Sequence, residues 1–314
     1  MMKTGKQVMK SKELNMVSRN SKLPAHIALA FAAVLWGIMS PMGKTALAAG
    51  IPPFALASFR MIGGAVCFWI LSLFLPKEKI TAKDAILFFP AALMGIVLNQ
   101  GSFIIGLSYT SPVNASIITT TTPIFTMILA AVFLREPITW LKVLGVAMGA
   151  GGAVMLITDG VSLGAGSSIK GDLLCLSAQV LFSLYLSLFK GLVQRYNVVT
   201  VMKWMFMYAM IVSVPVAYKD IMSIDYASLS LPVILEVLYV VICGTFLAYI
   251  FMIYGQQRLR PTLVSMYNYV QPVVATIISL AMGIGTFGWV KGIAVALVFS
   301  GVYVVTRSRS RVEK

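Results

Sequence analysis

Residues 95–123 are GIVLNQGSFIIGLSYTSPVNASIITTTTP, and residues 244–272 are GTFLAYIFMIYGQQRLRPTLVSMYNYVQP. A shift of 149 positions aligns these two segments without a gap, and both prolines and two of the glycines coincide. The identical pairs, extended beyond the segments, are Gly95 and Gly244, Gly106 and Gly255, Pro112 and Pro261, Pro123 and Pro272, Trp140 and Trp289, Lys142 and Lys291, and Gly152 and Gly301. This register indicates a tandem duplication within one chain.

The composition is that of a membrane protein. The 314 residues are 59% hydrophobic and 11% charged, and a soluble domain carries about 25% charged residues. The mean hydropathy is +0.90, and apolar runs of about 20 residues, enough to cross a bilayer as a helix, recur along the chain. We therefore predict an all-α membrane protein with ten transmembrane helices, at about 25–49, 53–75, 84–107, 112–134, 139–158, 171–193, 197–217, 232–256, 261–283 and 287–306.

The basic residues predict the orientation. Most of the 25 Lys and Arg residues lie in the two tails and in the loops after predicted helices 2, 4, 6 and 8; the others are Lys44, Arg60, Lys170, Lys219 and Lys291. Because Lys and Arg accumulate on cytoplasmic loops, both termini are predicted to be cytoplasmic. The net charge of +15 is then a signal of topology, with lipid headgroups rather than nucleic acid as the secondary partner.

An odd number of helices in each copy makes the second copy cross the membrane inverted. The predicted organisation is a basic cytoplasmic tail at 1–24, a first five-helix repeat at 25–158, an outer linker at 159–170, a second repeat at 171–307 and a cytoplasmic tail at 308–314. A weaker match at an offset of 146 pairs helix 1 with helix 6, for example Ala32 with Ala178.

No cofactor, metal site or enzymatic activity is expected. Cys67, Cys175 and Cys243 all lie in apolar runs, where cysteine acts as a small packing residue. His26 is the single histidine. A membrane-embedded enzyme would need paired carboxylates, a metal cluster or a nucleophile beside a base.

The candidate substrate site lies at two prolines. Pro123 and Pro272 each fall about 11 residues into a predicted helix, which is about 16 Å and close to the bilayer midplane. A proline there frees the carbonyl four residues earlier, at Thr119 and at Asn268. The candidate substrate-binding residues near this depth are Trp36, Ser40, Asn99, Gln100, Asn114, Thr119, Thr122, Gln179, Ser183, Tyr249, Tyr267, Asn268 and Gln271. The alternative is that such polar residues only hold helices together.

Two further features have alternative interpretations. Glu236 and Arg60 lie at similar depths from the outer side, and they form either an ion pair with a role in coupling or two separate headgroup-level residues. The glycines at 145, 149, 151 and 152 allow close helix packing, within the chain or in a homodimer.

The stretches YTSPVNAS at 109–116 and LREPITWLKVLG at 134–145, with Ser58-Phe59-Arg60, resemble the EamA-like transporters of the drug/metabolite transporter superfamily. The resemblance implies two inverted five-helix EamA repeats, a central cavity between helices 1–4 and 6–9, and peripheral helices 5 and 10. Such proteins move amino acids, their precursors, sugars or other metabolites, often outward. The family commonly repeats a Glu before the fifth helix, whereas Glu136 has Gly285 at the equivalent position here.

These observations predict a multi-pass secondary transporter in a bacterial-type cytoplasmic (inner) membrane. The expected activity is efflux of a small metabolite, with an amino-acid-like compound favoured, by alternating access of the two repeats. The open alternatives are an importer, a nucleotide-sugar or drug-type carrier, and a non-transporting membrane scaffold.

Overall fold

The computed structural model describes residues 2–109, 118–158, 168–281 and 288–308, and every regular element within these ranges is helical. The elements are α1 Met2–Ala48, α2 Pro53–Leu73, α3 Ala82–Ala92, π1 Leu93–Val97, α4 Leu98–Tyr109, α5 Thr122–Leu134, α6 Trp140–Thr158, α7 Ile169–Leu188, α8 Lys190–Val193, α9 Val198–Met222, α10 Leu231–Val241, π2 Ile242–Leu247, α11 Ala248–Arg258, α12 Pro261–Met266, a 3₁₀ turn Tyr267–Tyr269, α13 Val270–Ala281 and α14 Trp289–Arg307. The predicted all-α fold class is confirmed.

Several helices are long and apolar enough to cross a membrane. The six spans that meet this criterion among the described residues are Lys22–Met39, Pro53–Leu73, Ala82–Gly106, Ile169–Leu188, Val198–Met222 and Leu231–Arg258. Shorter apolar helices lie at Thr122–Leu134, Trp140–Met155 and Gly292–Arg307. The chain is therefore a multi-pass integral membrane protein.

The first helix is longer than the sequence predicted. It begins at Met2 rather than near residue 25, so the residues expected to form a tail continue α1. The Lys, Met, Glu and Gln side chains of this part favour a helix, and its apolar, membrane-length part begins at Lys22. The expected linker at 159–170 and the tail at 308–314 lie mostly outside the described residues.

The two repeats carry the same interruption. A π turn at Leu93–Val97 widens the helix formed by α3 and α4, and a second π turn at Ile242–Leu247 widens the helix formed by α10 and α11. The two turns begin 149 residues apart, which is the shift that relates the repeats, and they contain Gly95 and Gly244. The sequence therefore predicted the extent of these two helices correctly, but it did not predict the π turn inside each of them.

Packing between the repeats is reciprocal. Helix α4 packs on α7 while its equivalent α11 packs on α1, and α5 packs on α7 while α13 packs on α1. Helix α6 packs on its own equivalent α14, and α2 packs on its own equivalent α9. A pseudo-two-fold relation between the repeats produces this pattern, since each contact then has a symmetry mate.

Two ion pairs, each with at least one buried partner, connect segments of the chain. The Lys142 Nζ atom lies 2.9 Å from Glu136 Oε2, and the Lys142 side chain is buried. Arg195 donates from Nη1 to Asp84 Oδ1 at 2.8 Å, and Tyr196 donates to the other oxygen of Asp84. Gly285, the repeat equivalent of Glu136, lies outside the described residues.

The glycine face of α6 is occupied by the same chain. A Cβ atom on Gly152 would lie 2.6 Å from the carbonyl oxygen of Ala294 in α14, and one on Gly301 would lie 2.6 Å from that of Gly145. Gly149 faces the ring of Tyr269. These glycines therefore serve packing within the chain, which was one of the two alternatives, and their backbone contacts need the absence of a side chain.

We expect Gly152→Ala to destabilise the protein by about 1–3 kcal/mol, because the new methyl group meets backbone that cannot move aside. Gly151→Ala in the same helix is the matched control, since a Cβ there meets no atom within 4 Å and alanine favours a helix. Thermal unfolding of both purified variants in detergent checks this. Equal midpoints would contradict the close packing of α6 on α14.

Candidate functional site

Both prolines singled out in the sequence adjoin irregular backbone. Thr120 and Thr121 form a turn just before Pro123, and the 3₁₀ turn at Tyr267–Tyr269 precedes Pro272. The carbonyl of Thr119, which Pro123 cannot bond, accepts a hydrogen bond from the Thr122 hydroxyl at 2.7 Å. The helices are thus interrupted at the two equivalent places where the sequence predicted it.

Two hydrogen bonds mark the pseudo-two-fold axis. Gln100 donates from Nε2 to the Tyr249 hydroxyl oxygen at 2.8 Å, and the Tyr269 hydroxyl donates to the Thr120 carbonyl at 3.0 Å. In each pair the residues are 149 positions apart. A residue touches its own repeat equivalent only beside the axis, so these bonds place the axis between α4 and α11 and between the two proline-linked interruptions.

A small cavity lies beside this axis, between α1, α7, α11 and α12. Its volume is ≈ 10 Å³, about the room that one water molecule needs. The lining residues are Leu29, Ala32, Ala33, Trp36, Phe182, Met252, Val264, Tyr267 and Asn268. Of the predicted site residues, Trp36, Tyr267 and Asn268 line it. This cavity has no room for a metabolite.

Polar contacts hold these three side chains in place. Trp36 donates from Nε1 to the carbonyl of Gly244 in π2 at 3.0 Å. Asn268 accepts a hydrogen bond from Gln271, which pairs the two residues that the sequence placed on one face. The Tyr267 hydroxyl lies 2.7 Å from Nδ1 of His26. The indole of Trp36 also packs edge-on against Tyr249, with ring centroids 5.8 Å apart.

Arg60 does not line the cavity, and it does not pair with Glu236. Its Nε donates to the Thr245 hydroxyl at 2.8 Å, and Thr245 donates in turn to the Val240 carbonyl. Glu236 is half-buried in α10 and forms no ion pair within the part of the chain that the structure describes. Of the two alternatives for this pair, the geometry matches two separate residues, although Arg60 is buried.

Other predicted site residues join helices instead of lining the cavity. The Thr122 hydroxyl lies 2.7 Å from Gln179 Oε1 as well as from the Thr119 carbonyl, so its single hydrogen is shared between these two acceptors. One turn further along, Thr126 bonds Ser183 at 3.0 Å, and these contacts connect α5 to α7. Asn99 donates to the Ala178 carbonyl at 2.8 Å. These contacts match the alternative that intramembrane polar groups hold helices together. Asn114 lies outside the described residues, as does the side chain of Ser40.

Sequence reasoning missed several residues of the site. Phe182 is the equivalent of Trp36 at the offset of 146, so the repeat carried a signal for it. Thr126 extends the Thr122 face by one turn, which helical spacing could have indicated. No local signal points to the contact between His26 and Tyr267, because the two residues are 241 positions apart.

Comparisons with known proteins agree with this architecture. The model of the EamA-like transporter family matches residues 23–158 and again 169–307. The chain is 25% identical over 290 residues to the uncharacterized transporter YetK of Bacillus subtilis, covering 90% of this chain and 87% of that protein. It is 27% identical over 286 residues to an uncharacterized transporter of Archaeoglobus fulgidus, covering 90% and 99%.

A solved crystal structure shares the fold, with a TM-score of 0.75 at 20% identity over 90% of this chain and 98% of the other. The family matches cover both halves of the chain and nearly all of the helical segments described above. On these grounds, the chain belongs to the EamA-like transporter family.

Proposed function

We propose that this family member is a secondary transporter that moves a small, amino-acid-like metabolite out of the cytoplasm. The observation that carries the proposal is the position of the cavity. It lies where α1 of the first repeat meets the interrupted helices of the second, and Trp36, Tyr267 and Asn268 face one space there. Binding at a repeat interface formed by broken helices is how many secondary transporters hold their substrates.

Alternating access explains why the cavity is so small. A volume of ≈ 10 Å³ excludes a metabolite, so a substrate can enter only when one repeat moves against the other. The cavity wall is contributed by α1 and α7 on the one hand and by α11 and α12 on the other. Helices α1 and α7 are equivalent elements of the two repeats, so a rocking motion of the repeats would open one side as it closes the other.

The proposed arrangement has ten spans, with both termini in the cytoplasm and the second repeat inverted. The distribution of Lys and Arg supports this orientation, because the basic residues concentrate in the two tails and in alternate loops. The two family matches, each covering one repeat, support five spans in each half. The proposed location is a bacterial-type cytoplasmic membrane.

The cavity lining supports an amino-acid-like substrate. Trp36, Phe182 and Tyr267 supply aromatic surface, while Asn268 supplies an amide that both donates and accepts. Apolar surface with a few oriented polar groups is typical of small-molecule sites. An importer would use the same cavity, and the direction of flux is an outcome of the transport experiment below.

The topology predicts the activity of reporters fused to the chain. Alkaline phosphatase inserted in the linker at 159–170 should be active, because that loop is proposed to face outside. The same enzyme inserted after Lys77, or fused after Lys314, should be inactive, and green fluorescent protein at these two positions should fluoresce. Active phosphatase at the C-terminus would overturn the proposed orientation.

Replacing Asn268 by Ala together with Gln271 by Leu should lower transport about tenfold or more, since it removes the polar contact that the cavity offers a substrate. Flux of amino acids and sugars into liposomes containing the purified protein, with and without a pH gradient, measures this. Gln194→Leu is the control, because Gln194 is exposed at the end of α8. Undiminished flux in the double variant, with wild-type protein active, would remove these residues from the site.

A further inference from the structure

Among the described residues, one buried charge lacks a counter-charge. Arg60, Asp84 and Lys142 are the charged side chains buried among the described residues. Asp84 pairs with Arg195 and Lys142 pairs with Glu136. Arg60 is 8% exposed and spends one donor, Nε, on the neutral hydroxyl of Thr245. Within the ranges that the structure describes, no group bonds its Nη1 or Nη2.

An unpaired guanidinium is strongly disfavoured away from water, and arginine does not escape the penalty by losing its proton. Ionisable side chains inside membrane spans are therefore rare, and they mark substrate or ion pathways. Within the described residues, no acidic side chain pairs with Arg60. Glu236 forms no ion pair with it, and Asp84 and Glu136 are engaged elsewhere. An anion from outside the chain would supply the counter-charge.

The surroundings of Arg60 contain a second unused group. Thr245, which accepts from Arg60, lies one helical turn before Tyr249. Tyr249 accepts from Gln100 Nε2, which leaves Gln100 Oε1 buried without a hydrogen bond. A free cationic donor and a free neutral acceptor therefore flank one tyrosine, and that tyrosine packs against Trp36 in the cavity wall.

We propose that Arg60 binds the carboxylate of the transported molecule and that Gln100 Oε1 accepts a hydrogen bond from an N–H or O–H group beside that carboxylate. This inference rests on the proposed transport function and adds the substrate class. A single carboxylate neutralises one arginine, whereas a phosphate dianion would leave an excess negative charge in a low-dielectric site. The planar guanidinium fork also matches the two oxygens of a carboxylate.

Trp36 lines the cavity and packs against Tyr249, which in turn contacts Gln100. An opening between Trp36 and Tyr249 would let the carboxylate end of a substrate reach Arg60 while its remainder contacts Tyr267 and Asn268. The polar end of the site is then formed by α2 and α4 of the first repeat together with π2 of the second.

Acid–amide pairs test the inference in the purified full-length protein. Thermal unfolding is measured with L-leucine and L-leucinamide, L-phenylalanine and L-phenylalaninamide, propionate and propionamide, and benzoate and benzamide, at constant ionic strength. Inorganic phosphate is a further arm. At least one acid should raise the midpoint of the wild-type protein while its amide does not. Arg60→Gln should weaken binding of that acid about tenfold or more, which is the expected loss of a charged hydrogen-bonded contact.

Matched variants separate binding from folding. Arg60→Lys should keep part of the shift, because the charge remains and the fork is lost. Arg258→Gln removes an exposed arginine and should leave the shift unchanged. Without ligand, Arg60→Met should unfold at or above the wild-type midpoint, since an unpaired charge has been removed from the interior. A clearly lower midpoint would indicate a structural arginine and overturn the inference.

The inference is also overturned if no acid shifts the wild-type protein, if acid and amide act alike, if phosphate alone acts, or if the shift survives Arg60→Gln. If Arg60→Gln does not fold, the comparison of Arg60→Lys with Arg258→Gln decides. Flux in liposomes separates the two proposals. Transport that is independent of Arg60 retains the transporter and removes the carboxylate site, whereas Arg60-dependent binding without flux retains the site and removes the transport function.

Discussion

A backbone carbonyl that loses its helical partner inside an apolar environment needs another hydrogen-bond donor. This requirement determines which side chains meet at the centre of the molecule. The helices of both repeats are interrupted at equivalent places, by π turns and before Pro123 and Pro272. Donors from the opposite repeat meet several of the exposed carbonyls. Trp36 of the first repeat bonds Gly244 of the second, and Tyr269 of the second bonds Thr120 of the first. The interruptions thereby connect the repeats.

The same bonds explain how a symmetric frame holds an asymmetric site. Glycines at equivalent positions let equivalent helices approach, so the backbone of one repeat closely matches that of the other. The side chains that meet at the centre differ, however. Gln100 faces Tyr249 across the axis, and threonines before Pro123 correspond to a tyrosine- and asparagine-containing segment before Pro272. The asymmetry of the centre therefore lies in its side chains, while the backbone supplies the symmetry.

Sequence reasoning found the features that repeat or that recur with helical spacing. The duplication, the helical class, the interruptions at the two prolines and the cavity residues Trp36, Tyr267 and Asn268 were all predictable in this way. The π turns were not, because a π turn and a regular helix differ little in composition. Two contacts depend on how each helix is rotated about its own axis in the packed bundle. These are the contact of Thr122 with Gln179 and that of His26 with Tyr267. That rotation is set by packing across the whole chain, so the spacing of residues within one helix does not predict it.

The pairing of Gln100 with Tyr249 bears on the ancestry of the chain. In a homodimer of single five-helix units, an axial position meets its own copy, so only Gln with Gln or Tyr with Tyr could form. Fusion of the two copies into one gene removes that restriction, and the two halves can then mutate independently. An amide donor opposite a phenol oxygen needs two halves of different sequence, which a fused gene supplies. The Gln100–Tyr249 pair at the axis thus reflects substitutions made after the duplication, when each half could change without the other.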